Sequence, residues 1–278
     1  MILRLVRRLA SVPGVRLLTR LAPLLRISFA LRGMLVSEPL RFAWNELRKR
    51  HGVSIYSLRD APVKIALRHG TPDVMVLDEV FSQHEYEFPQ AVLAVLGTRG
   101  PELRVVDLGA NIGLFGAWVL TRFPKASIVA LEADPENVAV HEAALAANER
   151  AQSWRLIGAA AGTRPGTDRF VSGAFAVSHV ARDSEESIEI PVEDVFAHLG
   201  EVDLLKIDIE GSEWELLADP RFPEIAARVV VLEYHTEGCP ADDPAKAAAR
   251  LLRAAGFELF AGPRKPRFGA GVYWAVRG

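Results

Sequence analysis

Along residues 103–276, short apolar runs rich in β-branched side chains alternate with stretches whose apolar positions recur at helical spacing. Strands are expected at 103–108, 128–132, 154–160, 202–208 and 229–234, with a closing pair at 257–261 and 272–276. Helices are expected at 114–122, 135–148 and 244–255; Asp134-Pro135 supplies an N-cap and a first helical residue. Residues 162–200 read as a β-rich excursion, with strands at 168–171 and 187–192 and a short helix at 193–199. Strand and helix alternating at this spacing predict an α/β fold, a mainly parallel sheet covered by helices on both faces. Residues 38–102 read as a mixed α/β segment ahead of that sheet. No internal repeat or low-complexity tract interrupts the pattern.

The first 37 residues are patterned differently. Leu, Ile, Val and Ala are punctuated by Arg4, Arg7, Arg8, Arg16, Arg20, Arg26 and Arg32, with no acid. Arg4, Arg7 and Arg8 share one helical face, with Ile2, Leu5, Val6 and Leu9 opposite. Leu17, Leu21 and Leu24 repeat the stripe after a break at Pro13, and Pro23 interrupts it again. The arginines cut every apolar run short of the ~20 residues of a membrane span. No apolar core followed by a small-residue cleavage site marks a secretory signal. Two readings remain. The apolar faces dock on the domain with the arginines in water, or residues 1–37 rest on an anionic membrane surface. The second would hold a cytoplasmic protein at the inner face of the membrane. The expected organisation is a basic amphipathic helical extension at 1–60, a cap and lead-in segment at 61–102, and the main domain at 103–278.

Composition narrows the class. Of 278 residues, 50% are apolar and 24% charged, enough for a sizeable core and unlike a disordered chain. The single cysteine, Cys239, excludes an internal disulfide framework and a multi-cysteine metal cage. The net charge is −2, so the chain beyond the seven N-terminal arginines carries −9, which opposes a nucleic-acid partner.

The first strand ends in Asp107, and glycines follow at 109 and 113 before a helix. Backbone N–H groups of such a loop face a ligand at a switch point of the sheet. A dinucleotide fingerprint would need glycine at 109, 111 and 114, where Asn111 and Leu114 break it; no phosphate-loop lysine follows. An acid ahead of the first glycine suits an ammonium group rather than a pyrophosphate. Glu132 ends the second strand, where a carboxylate can take both hydroxyls of a ribose. Gly109 and Gly113 alone would fit ordinary turns; with Asp107 and Glu132 they point to a nucleoside carrying an amino acid. Asp107, Gly109, Asn111, Gly113 and Glu132, with Asp134 after the second strand and Ala160 ending the third, form the expected cofactor-binding set.

Asp107-x-Gly109-x-x-x-Gly113 with Glu132 resembles the cofactor motif of class I S-adenosylmethionine-dependent methyltransferases. The run from Val202 to Glu213, containing Lys206-Ile207-Asp208-Ile209-Glu210-Gly211, resembles the fourth-strand segment of the FkbM family. Leu67-Arg68, Thr71-x-Asp73, Glu79-Val80-Phe81 with Tyr86, and Leu232-Glu233-Tyr234-His235 resemble other segments of that family. The likeness covers roughly residues 62–278. It implies a Rossmann-like, seven-stranded methyltransferase sheet, S-adenosylmethionine as cofactor, and O-methylation of a sugar, glycolipid or other natural-product acceptor.

Lys206, Asp208 and Glu210 alternate along the expected fourth strand and so share a face beside the glycine loop. Charges this dense in a central strand are costly unless paired or functional. Asp208 is expected at the methyl-transfer zone, with Lys206 neutralising a neighbouring acid. Ser212-x-x-Glu215 fits a capping box, and Glu213 is either a helix-dipole acid or a site residue. Methylating an alcohol requires aligning the acceptor and removing its proton, and a positioned base contributes roughly 10²–10⁴-fold. His235, ending the fifth strand, is the candidate base, with a structural hydrogen bond as the competing reading. His179 lies where the excursion could fold over the site, and His69 and His84 lie in the cap, within reach of an acceptor. His51, His141 and His198 have no supporting constellation; Leu145 stands where a zincin's second histidine would follow His141-Glu142. Lys206, Asp208, Glu210 and His235 are therefore the expected catalytic set. Asp208, Glu210, Glu233 and His235 could alternatively hold Mg²⁺, which the spacing neither requires nor excludes.

Two competing functions carry less. Methylation of base amino groups resembles an Asn/Asp-Pro-Pro-aromatic motif after the fourth strand, and Asp208-Ile209-Glu210-Gly211 stands there instead. A non-catalytic membrane-docking module with a vestigial nucleoside pocket has no need of intact Asp107, Gly109, Gly113, Glu132 and Asp208.

Overall fold

The computed structural model describes residues 32–83, 85–149, 152–171, 179–180, 187–265 and 269–277. Most of the basic start, residues 1–31, lies outside the described residues, as do His84 and the His179 side chain. Among the described residues no helix is long and apolar enough to cross a membrane.

The described residues open with a 3₁₀ turn (Arg32–Leu35), helix α1 (Pro39–Leu47) and an antiparallel hairpin, β1 (Val53–Ser57) with β2 (Lys64–Arg68). Helices α2 (Asp73–Phe81) and α3 (Gln90–Gly97) lead into β3 (Arg104–Leu108). The alternation then follows as β3, α4 (Leu114–Arg122), β4 (Ser127–Glu132), α5 (Pro135–Asn148) and β5 (Trp154–Gly158). The expected third strand, 154–160, ends early. At Ala159 the backbone N–H turns back to the Ile157 carbonyl (3.0 Å), and the chain changes sheets. There β6 (Ala160–Gly162), β7 (Gly166–Val171), β8 (His179–Val180) and β9 (Ile188–Asp194) form a four-stranded sheet ordered β6-β9-β7-β8. The helix expected at 193–199 is a 3₁₀ turn, Val195–His198, whose Phe196 N–H donates to Asp194.

The main sheet is completed by β10 (Leu204–Ile207), helix α6 (Glu213–Ala218), β11 (Val229–Tyr234), helix α7 (Pro244–Ala254), β12 (Glu258–Lys265) and β13 (Ala270–Val276). Its order is β12-β13-β11-β10-β3-β4-β5, and β13 alone runs against the others. This is the Rossmann-like seven-stranded arrangement expected, with the order reversing between β3 and β10. A ligand site belongs outside the carboxyl ends of the strands at such a reversal. Every residue of β10 and β11 is buried, as expected of central strands covered on both faces. One core packs α4, α5 and the N-terminal segment, including Phe42, Tyr56, Phe88 and Trp118, on one face. The other packs α6 and α7, including Trp214, Leu217 and Leu252, on the opposite face.

The N-terminal hairpin is strapped to α5. Asn148 accepts from the Lys64 N–H (2.8 Å) and donates to the Lys64 carbonyl (2.7 Å). The Arg68 guanidinium grips Asp73 (2.9 and 3.0 Å) and Asn137 (2.7 Å), joining hairpin, α2 and α5.

Candidate active site

The carboxyl ends of β3, β10 and β11 converge on one cluster. Past Asp107 the loop turns through left-handed backbone at Gly109 (φ 74°), Asn111 (φ 50°) and Gly113 (φ 85°). A Cβ on Gly109 would lie 1.7 Å from the Asp208 carbonyl oxygen, because the backbone leaving β10 passes directly beside it. Glu132 pins the loop: its Oε2 accepts from the Asn111 N–H (2.7 Å), and its Oε1 from the Asp134 N–H (2.9 Å) and the Asn137 amide (3.4 Å). Burial pushes the Glu132 pKa up to about 7 against these donors, which favour the ionised form. Asp134 is fully buried and caps α5 through the Glu136 N–H (2.9 Å). Ala160 is placed elsewhere, in a pocket of about 460 Å³ between the β6–β7 turn and α6.

Lys206 is in register with Asp107 across the β3–β10 pair. Its ammonium donates to the Gly109 carbonyl (2.9 Å) and lies 3.3 Å from Asp107 Oδ1 and 3.2 Å from Asp208 Oδ2. Burial opposes the ammonium charge, but Asp208 and Asp107 outweigh it and hold the group above the ordinary lysine range. Asp107 is fully buried, and neither oxygen accepts a well-formed hydrogen bond among the described residues. Burial raises its pKa while Lys206 opposes the rise.

The shared strand face expected for Lys206, Asp208 and Glu210 does not extend past Lys206. β10 stops at Ile207, and Asp208 donates its N–H to the Leu108 carbonyl (3.1 Å). Glu210 adopts φ 49° and Gly211 φ 102°, a turn that swings the Glu210 carboxylate to 3.5 Å from His235 Nε2. The capping box also fails. Ser212 already has helical dihedrals (φ −83°, ψ −7°), so its side chain makes no capping bond. Glu213, fully buried, takes over: it accepts from the Gly211 N–H (2.7 Å), the His235 N–H (2.7 Å) and His235 Nδ1 (3.1 Å).

Nε2 of His235 then faces Asp208 Oδ1 (3.9 Å), Glu210 Oε2 (3.5 Å) and Glu233 Oε1 (3.9 Å). Burial works to discharge this ring, yet the Glu213 hydrogen bond and the charges of Asp208 and Glu210 raise its pKa to about 9. A ring protonated at neutral pH takes up no further proton, so the base role expected of His235 is open only to its neutral form. Glu210 is pushed up to about 7 by burial and then by the Asp208 charge.

Tyr86, noted in the sequence only as part of a family-like segment, belongs to this cluster. Its hydroxyl donates to Asp208 Oδ2 (3.3 Å) and Glu233 Oε2 (3.4 Å), and its ring packs edge-on to Phe115 at 5.1 Å. Burial and then the Asp208 and Glu233 charges raise its pKa well above 10, so it remains a donor. Between Tyr86, the glycine loop, Lys206, Asp208 and Glu233 lies a pocket of about 90 Å³.

Three further histidines are engaged elsewhere. His69 is buried within the N-terminal segment, bonded to Tyr56 (2.7 Å) and Glu46 (2.9 Å). His198 pairs with Glu193 (3.0 Å). His141 lies under the glycine loop against Trp154, 5.2 Å between ring centres, and burial lowers its pKa to about 4.

A model of the FkbM methyltransferase domain matches residues 107–259, more than half of the chain. No curated protein matches significantly. Among solved structures, the chain resembles an FkbM methyltransferase from Methylobacillus flagellatus at 14% identity and TM-score 0.47, covering 92% of this chain and 59% of that one. An O-methyltransferase family protein from Burkholderia thailandensis is similar at 13% identity and TM-score 0.45, covering 74% and 58%. A precorrin-6y C5,15-methyltransferase from Geobacter metallireducens is similar at 15% and 0.40, covering 64% and 81%. The chain thus spans less than two thirds of the first two.

Proposed function

The chain belongs to the FkbM family of S-adenosylmethionine-dependent methyltransferases, and on that premise we propose that it methylates a hydroxyl of a sugar, glycolipid or other natural-product acceptor. The observation that carries this reading is the pair Asp208 and Glu233, which share the Tyr86 hydroxyl beside the Gly109 turn. A hydroxyl donor already sits between two carboxylates there, so the site has the acceptors that an incoming alcohol needs.

The residues fit the cofactor. Gly109 and Gly113 let the loop turn tightly at the sheet's switch point, and Glu132 stands behind it as the ribose acceptor. Asp107, near the end of β3 ahead of this loop, is the carboxylate that suits the cofactor's ammonium group. The bound cofactor supplies an activated methyl group on a sulfonium. Asp208 aligns the acceptor and takes up its proton, Lys206 fixes Asp208, and Tyr86 orients the neighbouring carboxylates.

A membrane-bound acceptor is favoured. Helix α1 exposes Leu40, Trp44 and Leu47, at 84%, 56% and 42%, on one face at helical spacing. Arg41, Arg48, Lys49 and Arg50 flank that face, and Arg48 lies 3.8 Å over the Trp44 ring. An apolar face with basic flanks suits an anionic lipid surface, and in sequence it follows the arginine-rich residues 1–37.

An acceptor screen with methyl-labelled cofactor against glycans, glycolipids and polyketides tests the reaction. Label transferred to a hydroxyl supports it; label found only on amine or carbon acceptors refutes it. For the surface, the protein should sediment with phosphatidylserine vesicles at low salt and leave them as salt rises. Absent binding at low salt, with a lower melting temperature after deletion of residues 1–37, would assign that segment to the domain instead.

A further inference from the structure

The carboxyl ends of β10 and β11 carry an arrangement that proton transfer alone does not explain. Asp208, Glu233 and His235 each offer one ligand atom, and these atoms all lie within 4.8 Å of one another. We propose that they bind a divalent transition-metal cation that positions and acidifies the acceptor hydroxyl. This deepens the methyltransferase reading and rests on it.

Each of the three ligands is held by a second residue. Glu213 takes the His235 Nδ1 side at 3.1 Å and the His235 N–H at 2.7 Å, which leaves Nε2 pointing into the cluster. Tyr86 bonds the outer oxygens of both carboxylates, Asp208 Oδ2 and Glu233 Oε2, and Lys206 also sits on Asp208 Oδ2. The inner oxygens, Asp208 Oδ1 and Glu233 Oε1, are the ones that face Nε2, each at 3.9 Å. A carboxylate behind the histidine and hydrogen bonds behind the carboxylates are how proteins fix the atoms that bind a metal. Ligand atoms around a cation with bonds of ~2.1 Å lie ~3–4 Å apart, close to the separations seen here.

Charge favours the same assignment. Asp107, Asp208, Glu210, Glu213 and Glu233 crowd around one lysine and one histidine. A divalent cation on Nε2 offsets more of this excess than the single proton of an imidazolium. One imidazole with two carboxylates suits Mn²⁺, Fe²⁺, Co²⁺ or Zn²⁺ better than the all-oxygen preference of Mg²⁺ or Ca²⁺. The open coordination positions face the pocket beside Tyr86 and the glycine loop. An acceptor hydroxyl bound there loses its proton to Asp208, the base of the reaction proposed above. Its oxygen forms the new C–O bond as the methyl C–S bond breaks, and the sulfonium leaves as a neutral thioether.

The test uses the full chain, freed of metal with EDTA, and needs no turnover. Mn²⁺ binding is followed by loss of its free-ion electron paramagnetic resonance signal, and S-adenosylhomocysteine binding by calorimetry in parallel. One Mn²⁺ should bind per chain. Its affinity should fall at least tenfold in His235→Ala and Glu233→Gln, and roughly tenfold in Glu213→Gln, within the range known for residues behind metal ligands. S-Adenosylhomocysteine affinity should stay within about threefold in all of them. Glu233→Gln preserves shape and keeps the test alive if His235→Ala does not fold. No Mn²⁺ binding by the wild type, or unchanged binding in a folded Glu233→Gln protein, overturns the site. Failure of S-adenosylhomocysteine to bind the wild type would instead strike the cofactor reading, which the Mn²⁺ isotherm does not depend on.

Discussion

Replacing Gly113 by alanine should damage the glycine loop for two separable reasons. Gly113 has φ 85°, a left-handed conformation that costs an alanine about 1–2 kcal/mol. The new Cβ would also lie 2.6 Å from Cδ2 and Nε2 of His141, whose ring is fully buried and backed by Trp154. A ring so enclosed cannot step aside, and overpacking of this kind costs about 1–3 kcal/mol. Together these give about 2–5 kcal/mol, a large share of a domain's ~5–15 kcal/mol. Equilibrium urea unfolding of Gly113→Ala measures the sum, and the same substitution in a His141→Ala background separates the parts. With the ring gone, only the backbone strain should remain, so the second cost should be smaller by about 1–3 kcal/mol. Equal costs in the two backgrounds would refute the argument that His141 is what demands glycine at this position.

Three further outcomes follow from the same geometry. Asp208→Asn should lower turnover by roughly 10²–10⁴-fold while changing S-adenosylhomocysteine affinity little; equal losses would move Asp208 into the cofactor shell. Glu132 must be ionised to accept two ribose hydroxyls, and its pKa is about 7, so S-adenosylhomocysteine affinity should be level above pH 7 and weaken toward about tenfold per unit below it; a flat wild-type profile from pH 8 to 5.5 would contradict this, and Glu132→Gln should be weak and flat. His141 has a folded pKa lowered to about 4, so its contribution is present above the unfolded value near 6.5 and lost as pH falls toward 4. Across that window the wild type should lose about 3 kcal/mol more than His141→Ala, and parallel stability curves would rule the argument out.

The elements of the main sheet were legible because buried parallel strands write themselves as apolar runs and the helices between them carry caps. Leu114–Arg122, Val229–Tyr234 and the Asp134-Pro135 start of α5 match the sequence pattern. Local continuity misled where the chain bends. The apolar run after Trp154 continues through Ala160, and composition does not reveal that the backbone leaves one sheet for another at Ala159. The same holds at Glu210, where alternation predicts a strand and the left-handed turn depends on neighbours far along the chain. Within the candidate site, Asp107, Lys206, Asp208 and His235 come together as their placement along and at the ends of the strands predicts, and the left-handed turn brings Glu210 to them. Tyr86 escaped as a site residue, and Glu213 stayed between two readings, for a different reason. Tyr86 meets residues 122 and 147 positions away, and Glu213 grips one 22 positions ahead, distances at which sequence spacing carries no geometric information.

Glu132 joins the glycine loop to the start of α5 through the N–H groups of Asn111 and Asp134. The loop is thus shaped by folding and not by its ligand, so the cofactor docks onto an ordered surface and little conformational entropy is lost on arrival. Association should then run at the rate of encounter and orientation, without a slow closing phase at this loop. The carboxylate's tie to the backbone also changes what its removal means. In Glu132→Ala the loop must be ordered during binding itself, so the lost affinity combines the missing ribose contact with an ordering penalty. That second part would show as slower association, leaving only the first to speed dissociation.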